Sequence, residues 1–158
     1  MQSVVKRSSR AILLDREGRL LLIKRTEPGQ DPYWTTPGGG LEPDDVSVDA
    51  ALVRELREEL GAEIDAPPTQ VFLVSSPAGD EGVGVQHFFV CRLQTLDLGQ
   101  RSGPEFDDPS RGGYVLDRVN LLDGSLRNID LKPAALKEFI LANDAALADA
   151  AGVSPVQA

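Results

Sequence analysis

The sequence has one cysteine, Cys91, and one histidine, His87, in 158 residues. A single cysteine excludes an internal disulfide and leaves no thiolate partners for a metal cluster. His87 and Cys91 lie four apart in one apolar run, without further Cys or His nearby, so both are expected to pack in a sheet. Basic residues are in deficit: 16 Lys and Arg stand against 25 Asp and Glu, for a net charge of −9. Such a chain lacks the clustered cations that displace counterions from a long polyanion, so no long nucleic-acid partner is expected. A small phosphate ligand is not excluded, because a bound metal ion reverses the local sign. No segment approaches the ~18–20 apolar residues of a membrane helix, so no membrane partner is expected. The N-terminal "MQSVVKRSSRAILLD" holds no apolar run long enough for a signal peptide, which makes the cytoplasm the expected compartment.

At 41% hydrophobic and 26% charged residues, the composition is that of an ordinary globular protein. We expect one domain over residues 1–150 and a loose tail over 151–158. "RAILLDREGRLLLIKRT" is two apolar runs around Asp15–Gly18, a hairpin signature in which Gly18 takes positive φ. "EPGQDPYWTTPGGG" is dense in Pro and Gly and reads as a loop. In "VSVDAALVRELREEL", Val48, Ala51, Leu52, Leu56 and Leu60 recur at helical spacing, Gly61 follows as a C-cap, and Ser47 or Asp45 can cap the start. "TQVFLVSS" and "GVQHFFVCRLQTL" read as strands joined by "PAGDEG". "GQRSGPEFDDPSRGG" is a long polar loop, "YVLDRVNLLDG" a last strand, and "KPAALKEFILANDAALADAA" one amphipathic helix that either covers the core or forms an interface, leaving a homodimer open. Strands mixed with two helices predict an α/β fold in which helices cover a sheet.

The most informative stretch is "RELREELG", Arg54 to Gly61. Residues three and four apart on a helix are neighbours, so Glu55 sits beside Glu58 and Glu59. Three carboxylates gather at the C-terminal end of a helix, which already carries partial negative charge. Arg54 and Arg57 offset part of the repulsion. A hard divalent cation would remove the rest, and Mg²⁺ and Mn²⁺ prefer carboxylate oxygens together with substrate phosphates. A solvated charged face is the plainer reading of such a run. The glycines of "PGGGLEP" just upstream, which let a backbone approach a ligand closely, tilt the balance toward a diphosphate–metal site.

Together these residues resemble a known family. "GGGLEPDDVSVDAALVRELREELGA", Gly38 to Ala62, is similar to the box of the Nudix (MutT-like) hydrolases: Gly, five residues, Glu, seven residues, Arg-Glu, an aliphatic, any residue, Glu-Glu, any residue, Gly, an aliphatic. The second half fits from Arg54 to Gly61. In the first half, using Gly39 as the motif glycine puts Asp45 at the first Glu position, with one residue inserted before Arg54. Using Gly40 keeps the spacing and puts Val46 there. The first alignment is preferred, and the last aliphatic is the small Ala62.

The resemblance implies an α/β/α sandwich with a mixed β-sheet. It also implies hydrolysis of the diphosphate linkage of a nucleoside diphosphate derivative (a nucleoside triphosphate, ADP-ribose or similar) with Mg²⁺ or Mn²⁺. Glu58 and Glu59 would be the principal metal ligands and Glu55 a third ligand or their support. Arg54 would orient the glutamates, and Gly38, Gly39 and Gly40 would shape the loop against the helix. Glu105, Asp80 and Glu81 are alternative general bases. Arg25, at the end of an apolar run, is a candidate for substrate phosphate. Tyr33 and Trp34 could stack on a base or pack beneath the loop. Pro77 in "SSPAG" lies where the ADP-ribose branch of the family often has a proline. The alternative is a catalytically silent Nudix domain that binds nucleotides or a regulatory partner. Loss of a core glutamate would favour it, and Glu55, Glu58 and Glu59 are all present.

Overall fold

A computed structural model describes residues 3–80, 82–100 and 112–153. Alternation in the first strand decides the architecture. β1 (Ser3–Leu14) sends Ala11 and Leu13 to one side and Ile12 and Leu14 to the other, and both sets are fully buried. A strand buried on both faces must be covered by a layer on each.

β2 (Arg19–Thr26) repeats the division, with Leu21 and Ile23 opposite Leu20 and Leu22. So does β7 (Gly82–Leu96), with Phe89, Cys91 and Leu93 opposite Phe88 and Val90. One set packs against α1 (Val48–Leu60) through Leu52, Leu56 and Leu60. The other packs against α2 (Ala134–Ala142) and α3 (Asp144–Ala150) through Leu136, Ile140, Leu147 and Ala148. The result is the expected sandwich of helices around a sheet.

The sheet is mixed. β1 runs parallel to β7 and antiparallel to β2. β6 (Thr69–Pro77) and the short β5 (Ala62–Ile64) pair antiparallel with β7, and β8 (Gly113–Asn120) pairs antiparallel with β2. Gly18 has φ +80, as the hairpin required, and the Asp15 carboxylate accepts the backbone N–H groups of Glu17 and Arg19 across the turn.

Two expectations are corrected. The Pro- and Gly-rich segment is not all loop: β3 (Tyr33–Thr35) pairs with β2, and β4 (Gly38–Gly40) pairs with Ser8–Arg10 of β1. Glycine has poor strand propensity, but with no Cβ it can lie against β1 where other residues would collide. The C-terminal helix is two helices, not one. The chain bends at Asn143 (φ −130, ψ 21), whose side-chain amide donates to the Phe139 carbonyl. Beyond α3, Val153 is buried in the core and Gly152 O accepts from Arg92. Among the described residues no helix is long and apolar enough to cross a membrane.

Candidate functional site

The start of α1 is fixed by its cap and by the sheet beneath it. Ser47 Oγ accepts the Ala50 N–H at 3.0 Å, and Ser9 Oγ, fully buried on β1, donates to Val48 O at 2.6 Å. The end is fixed by Gly61 in the left-handed conformation (φ +61). Between these points, the helix turns its acidic side toward β4.

Gly38 has φ +143, and a Cβ there would collide with Ser9 O. Its N–H donates to Glu59 Oε1 at 3.1 Å, which accounts for a glutamate that is only 7% exposed. A Cβ on Gly39 would lie 2.6 Å from the Glu55 carboxylate. Two glycines thus make the room into which two carboxylates reach.

Arg54 organises the remainder. Its Nε and Nη2 hold both oxygens of Asp45 at 2.9 and 2.8 Å, the two-pronged geometry that a guanidinium is built for. Nη2 also donates to Gly40 O at 3.1 Å, and Nη1 donates to Glu55 Oε1 and Glu58 Oε2, both at 3.0 Å. Hydrogen bonding to Arg54 pulls the Asp45 carboxyl down to about 2, and the same bond raises the Arg54 pKa. The network bears on the alignment: Asp45 is engaged with Arg54 while Val46 is 91% exposed, so Asp45 stands in the first acidic position. Arg57 does not join the network. It pairs with Glu63 at 2.6 Å, so its charge is directed away from the three glutamates.

The donor set suits a hard divalent cation. Glu55 and Glu58 offer oxygens to one positively charged nitrogen, Arg54 Nη1, an arrangement in which a cation is already favoured. Among the described residues, however, no three His, Cys, Asp or Glu side chains form a ready-made metal cluster. Glu59 is turned to Gly38, and Glu55 and Glu58 to Arg54.

The other residues singled out from sequence are distributed as follows. Arg25 stacks 3.7 Å above the Tyr114 ring, with Tyr33 and Glu27 nearby. Trp34 packs against the core on the α2 side and donates its indole N–H to Asp117 at 2.8 Å, so packing and a hydrogen bond hold it. Tyr33 lies beside Arg25 and Lys132. Asp80 is exposed in the β6–β7 turn, while Glu81 and Glu105 lie outside the described residues. Cys91 is buried, and burial raises its thiol to about 12, so it stays protonated. His87 is buried between Arg7 and Gln70.

Sequence reasoning missed Arg10. It faces the α2 side of β1, where its Nη1 donates to Thr36 O at 3.1 Å and Gly38 O at 3.3 Å. It lines two cavities, one of about 360 Å³ with Lys6, Ser8, Pro77 and Gln86, the other of about 490 Å³ with Gln86, Asp130, Lys132 and Pro133. The available signal was a charge at the start of an otherwise apolar run, "RAILL".

The site is thus a glycine strand laid across an arginine-organised acidic helix, at one face of a mixed sheet between two helical layers. The NUDIX domain model matches residues 5–112, and the chain belongs to that family. The chain is 48% identical over 54 residues to the CTP pyrophosphohydrolase of Escherichia coli strain K12, an alignment covering 34% of this chain and 39% of that protein. Over nearly the full length it resembles the solution structure of the E. coli ORF135 protein, at 27% identity and a TM-score of 0.64, with 89% and 91% of the two chains covered. The MutT protein from Methanosarcina mazei Go1 shares the fold, with a TM-score of 0.63, 20% identity and 92% and 97% coverage.

Proposed function

We propose that this chain is a metal-dependent pyrophosphohydrolase that cleaves the phosphoric anhydride of a nucleoside diphosphate derivative, with CTP the first substrate to test. The observation that carries the reading is the arrangement of β4 on α1. Gly38 and Gly39 admit Glu59 and Glu55 to the strand, and Arg54 holds Asp45, Glu55 and Glu58 in one group. The E. coli relative is named for CTP pyrophosphohydrolysis, and the aligned stretch is 48% identical.

In this reading Glu55, Glu58 and Glu59 hold Mg²⁺ or Mn²⁺, which when bound polarises phosphoryl oxygens and lowers the pKa of water. The chain itself supplies position and charge. Arg54 holds Glu55 and Glu58 side by side. Gly38 and Gly39 shape the strand that receives the carboxylates, and Gly40, on the wall of the 360 Å³ cavity, leaves a phosphate access to the backbone. Arg25, whose guanidinium carbon lies 3.7 Å over the Tyr114 ring, is a cation placed before a phosphate arrives. The proton acceptor is one of the box glutamates or a loop acid among Glu105, Asp80 and Glu81.

A second reading, a catalytically silent nucleotide-binding module, draws on one observation: the three glutamates are engaged by Arg54 and Gly38 instead of meeting as one ligand cluster. One experiment separates the two. Phosphate-product release is followed on a panel of CTP, other nucleoside triphosphates, oxidised triphosphates, dinucleoside polyphosphates and ADP-ribose, with Mg²⁺ or Mn²⁺, beside Glu58→Gln and Glu59→Gln. Turnover of one substrate class that both variants abolish supports the hydrolase. Nucleotide binding without turnover supports the silent module.

A further inference from the structure

We infer that Arg10 is a positioning residue that joins the cleft on the α2 side of the sheet to the carboxylate of Glu59 on the α1 side, through the single residue Gly38. The inference rests on the hydrolase reading only in taking the cleft as the nucleotide's seat and Glu59 as part of the reactive site.

Gly38 is gripped from both directions. Its carbonyl accepts from Arg10 Nη1 at 3.3 Å, and its N–H donates to Glu59 Oε1 at 3.1 Å. Its backbone is also held by strand pairing with Arg10, and only glycine fits there, because φ is +143 and Ser9 O lies where a side chain would begin. Arg10 also holds Thr36 O at 3.1 Å, and Ala11 N donates to Pro37 O at 2.9 Å, so both ends of the Thr36–Gly38 turn are tied to β1. A displacement of the Arg10 guanidinium is therefore passed to Gly38 and on to Glu59, with few alternatives for absorbing it.

The other side of Arg10 faces ligand space. Arg10 and Gln86 are the two side chains common to the 360 Å³ and 490 Å³ cavities, with Lys6 on the wall of the first and Lys132 on the wall of the second. Cavities of this size take a nucleoside or its phosphates. The Arg10 Nε is buried without a hydrogen-bond partner, a donor left over after the backbone contacts are made. An anionic group in the cleft has three cations to meet in a protein of net charge −9, and Arg10 stands between the other two. Lysine replaces such a residue only in part: an ammonium can donate to both carbonyls as Nη1 does, but it lacks the remaining guanidinium nitrogens and their fixed plane.

The test compares Arg10→Ala, Arg10→Lys, Gln86→Ala and Glu59→Gln with the parent. Two readouts are used: the Gly38 amide cross-peak in an ¹⁵N–¹H NMR spectrum without metal or nucleotide, and steady-state kinetics with CTP and Mg²⁺. Arg10→Ala is expected to move the Gly38 amide proton in the same direction as Glu59→Gln. It should lower kcat by roughly 10- to 100-fold, the scale of a misplaced reactive group, and also raise KM, because a cation of the cleft is lost. Arg10→Lys, which keeps the fold if the alanine variant loses it, should recover part of both effects. Gln86→Ala, which lines the same cavities without a bond to Gly38, should raise KM and leave the Gly38 peak in place. A Gly38 peak unmoved in Arg10→Lys and in folded Arg10→Ala overturns the inference, and a rise in KM alone would make Arg10 a plain substrate contact. If the parent turns over no nucleotide in the wider panel, the hydrolase reading falls, and the Gly38 peak alone decides the link.

Discussion

Helices α1 and α2 cover opposite faces of one sheet and are built differently. α1 is capped at both ends, by Ser47 and Gly61, and Arg54 ties its side to Asp45, Gly40, Glu55 and Glu58. α2 begins at Pro133 with no side-chain cap, ends at the bend of Asn143, and relies on Leu136 and Ile140, both fully buried. The first layer holds like charges together near a helix C-terminus, where the backbone opposes them. The second does what most helices do, which is to cover apolar surface. The difference teaches where to look for chemistry: in the layer whose polar groups are tied down at the expense of electrostatic comfort.

Breaking each layer in turn should therefore give opposite phenotypes. In α1, Glu58→Gln and Glu59→Gln should each lower kcat/KM by about 100-fold or more, within the several kcal/mol that a bound metal contributes. Their unfolding midpoints in urea should stay near the parent's, because a glutamine at 59 can still accept from Gly38 N. In α2, Leu136→Ala should destabilise the fold by roughly 2–5 kcal/mol, the usual range for emptying a buried leucine site. Its kcat at a temperature well below unfolding should match the parent's. A Leu136→Ala protein that is stable and inactive would erase the distinction between the two layers.

A smaller effect sharpens the same comparison within α1's own network. Asp45→Asn loosens the grip on Arg54 and should reduce kcat/KM by ~10-fold, as loss of a supporting partner of a metal ligand does. Val46→Ala, one residue on and exposed, should leave both activity and stability unchanged. Asp45 also has a pH signature. Its folded carboxyl sits at about 2 against an ordinary 3.8, so its contribution to stability is complete above about 4 and is lost as pH falls through 2. Asp45→Asn should flatten acid unfolding in that window. An equal loss of activity in Val46→Ala would return the first acidic position to residue 46.

The elements that sequence made legible are those where one local rule suffices. Helical spacing from Val48 to Leu60, the Gly61 cap and the Asp15–Gly18 turn needed only neighbours along the chain. β4 was not legible, because Gly38–Gly40 becomes a strand only by pairing with Ser8–Arg10, some thirty residues away. The direction of Arg57 was hidden for the same reason, since its partner Glu63 lies beyond the helix on β5. Spacing brought Glu55, Glu58 and Glu59 to one helix side, but their partners, Gly38 N and the shared Arg54 nitrogen, depend on the fold. Arg10 reads as an oddity in β1 until the Thr36 and Gly38 carbonyls are brought to it.

The smallest expected effect concerns His87, on the α1 side of β7. Arg7 Nη1 lies 2.9 Å from its Nε2, and a guanidinium only donates, so Nε2 must be the acceptor. The proton is then on Nδ1, which donates to Gln70 Oε1 at 3.0 Å. Protonating Nε2 would remove that acceptor and set an imidazolium against a guanidinium. Burial first, and the Arg7 charge second, accordingly lower the His87 pKa below its ordinary 6.5. The unfolded chain then binds more protons than the folded one as pH drops below about 6.5, so stability rises with pH through that window and levels off above it. His87→Gln keeps a neutral side chain at the site and should remove this slope, leaving stability above pH 7 nearly unchanged. Urea unfolding between about pH 5 and 8 measures it, and an unaltered slope in the variant would show that His87 is not its source.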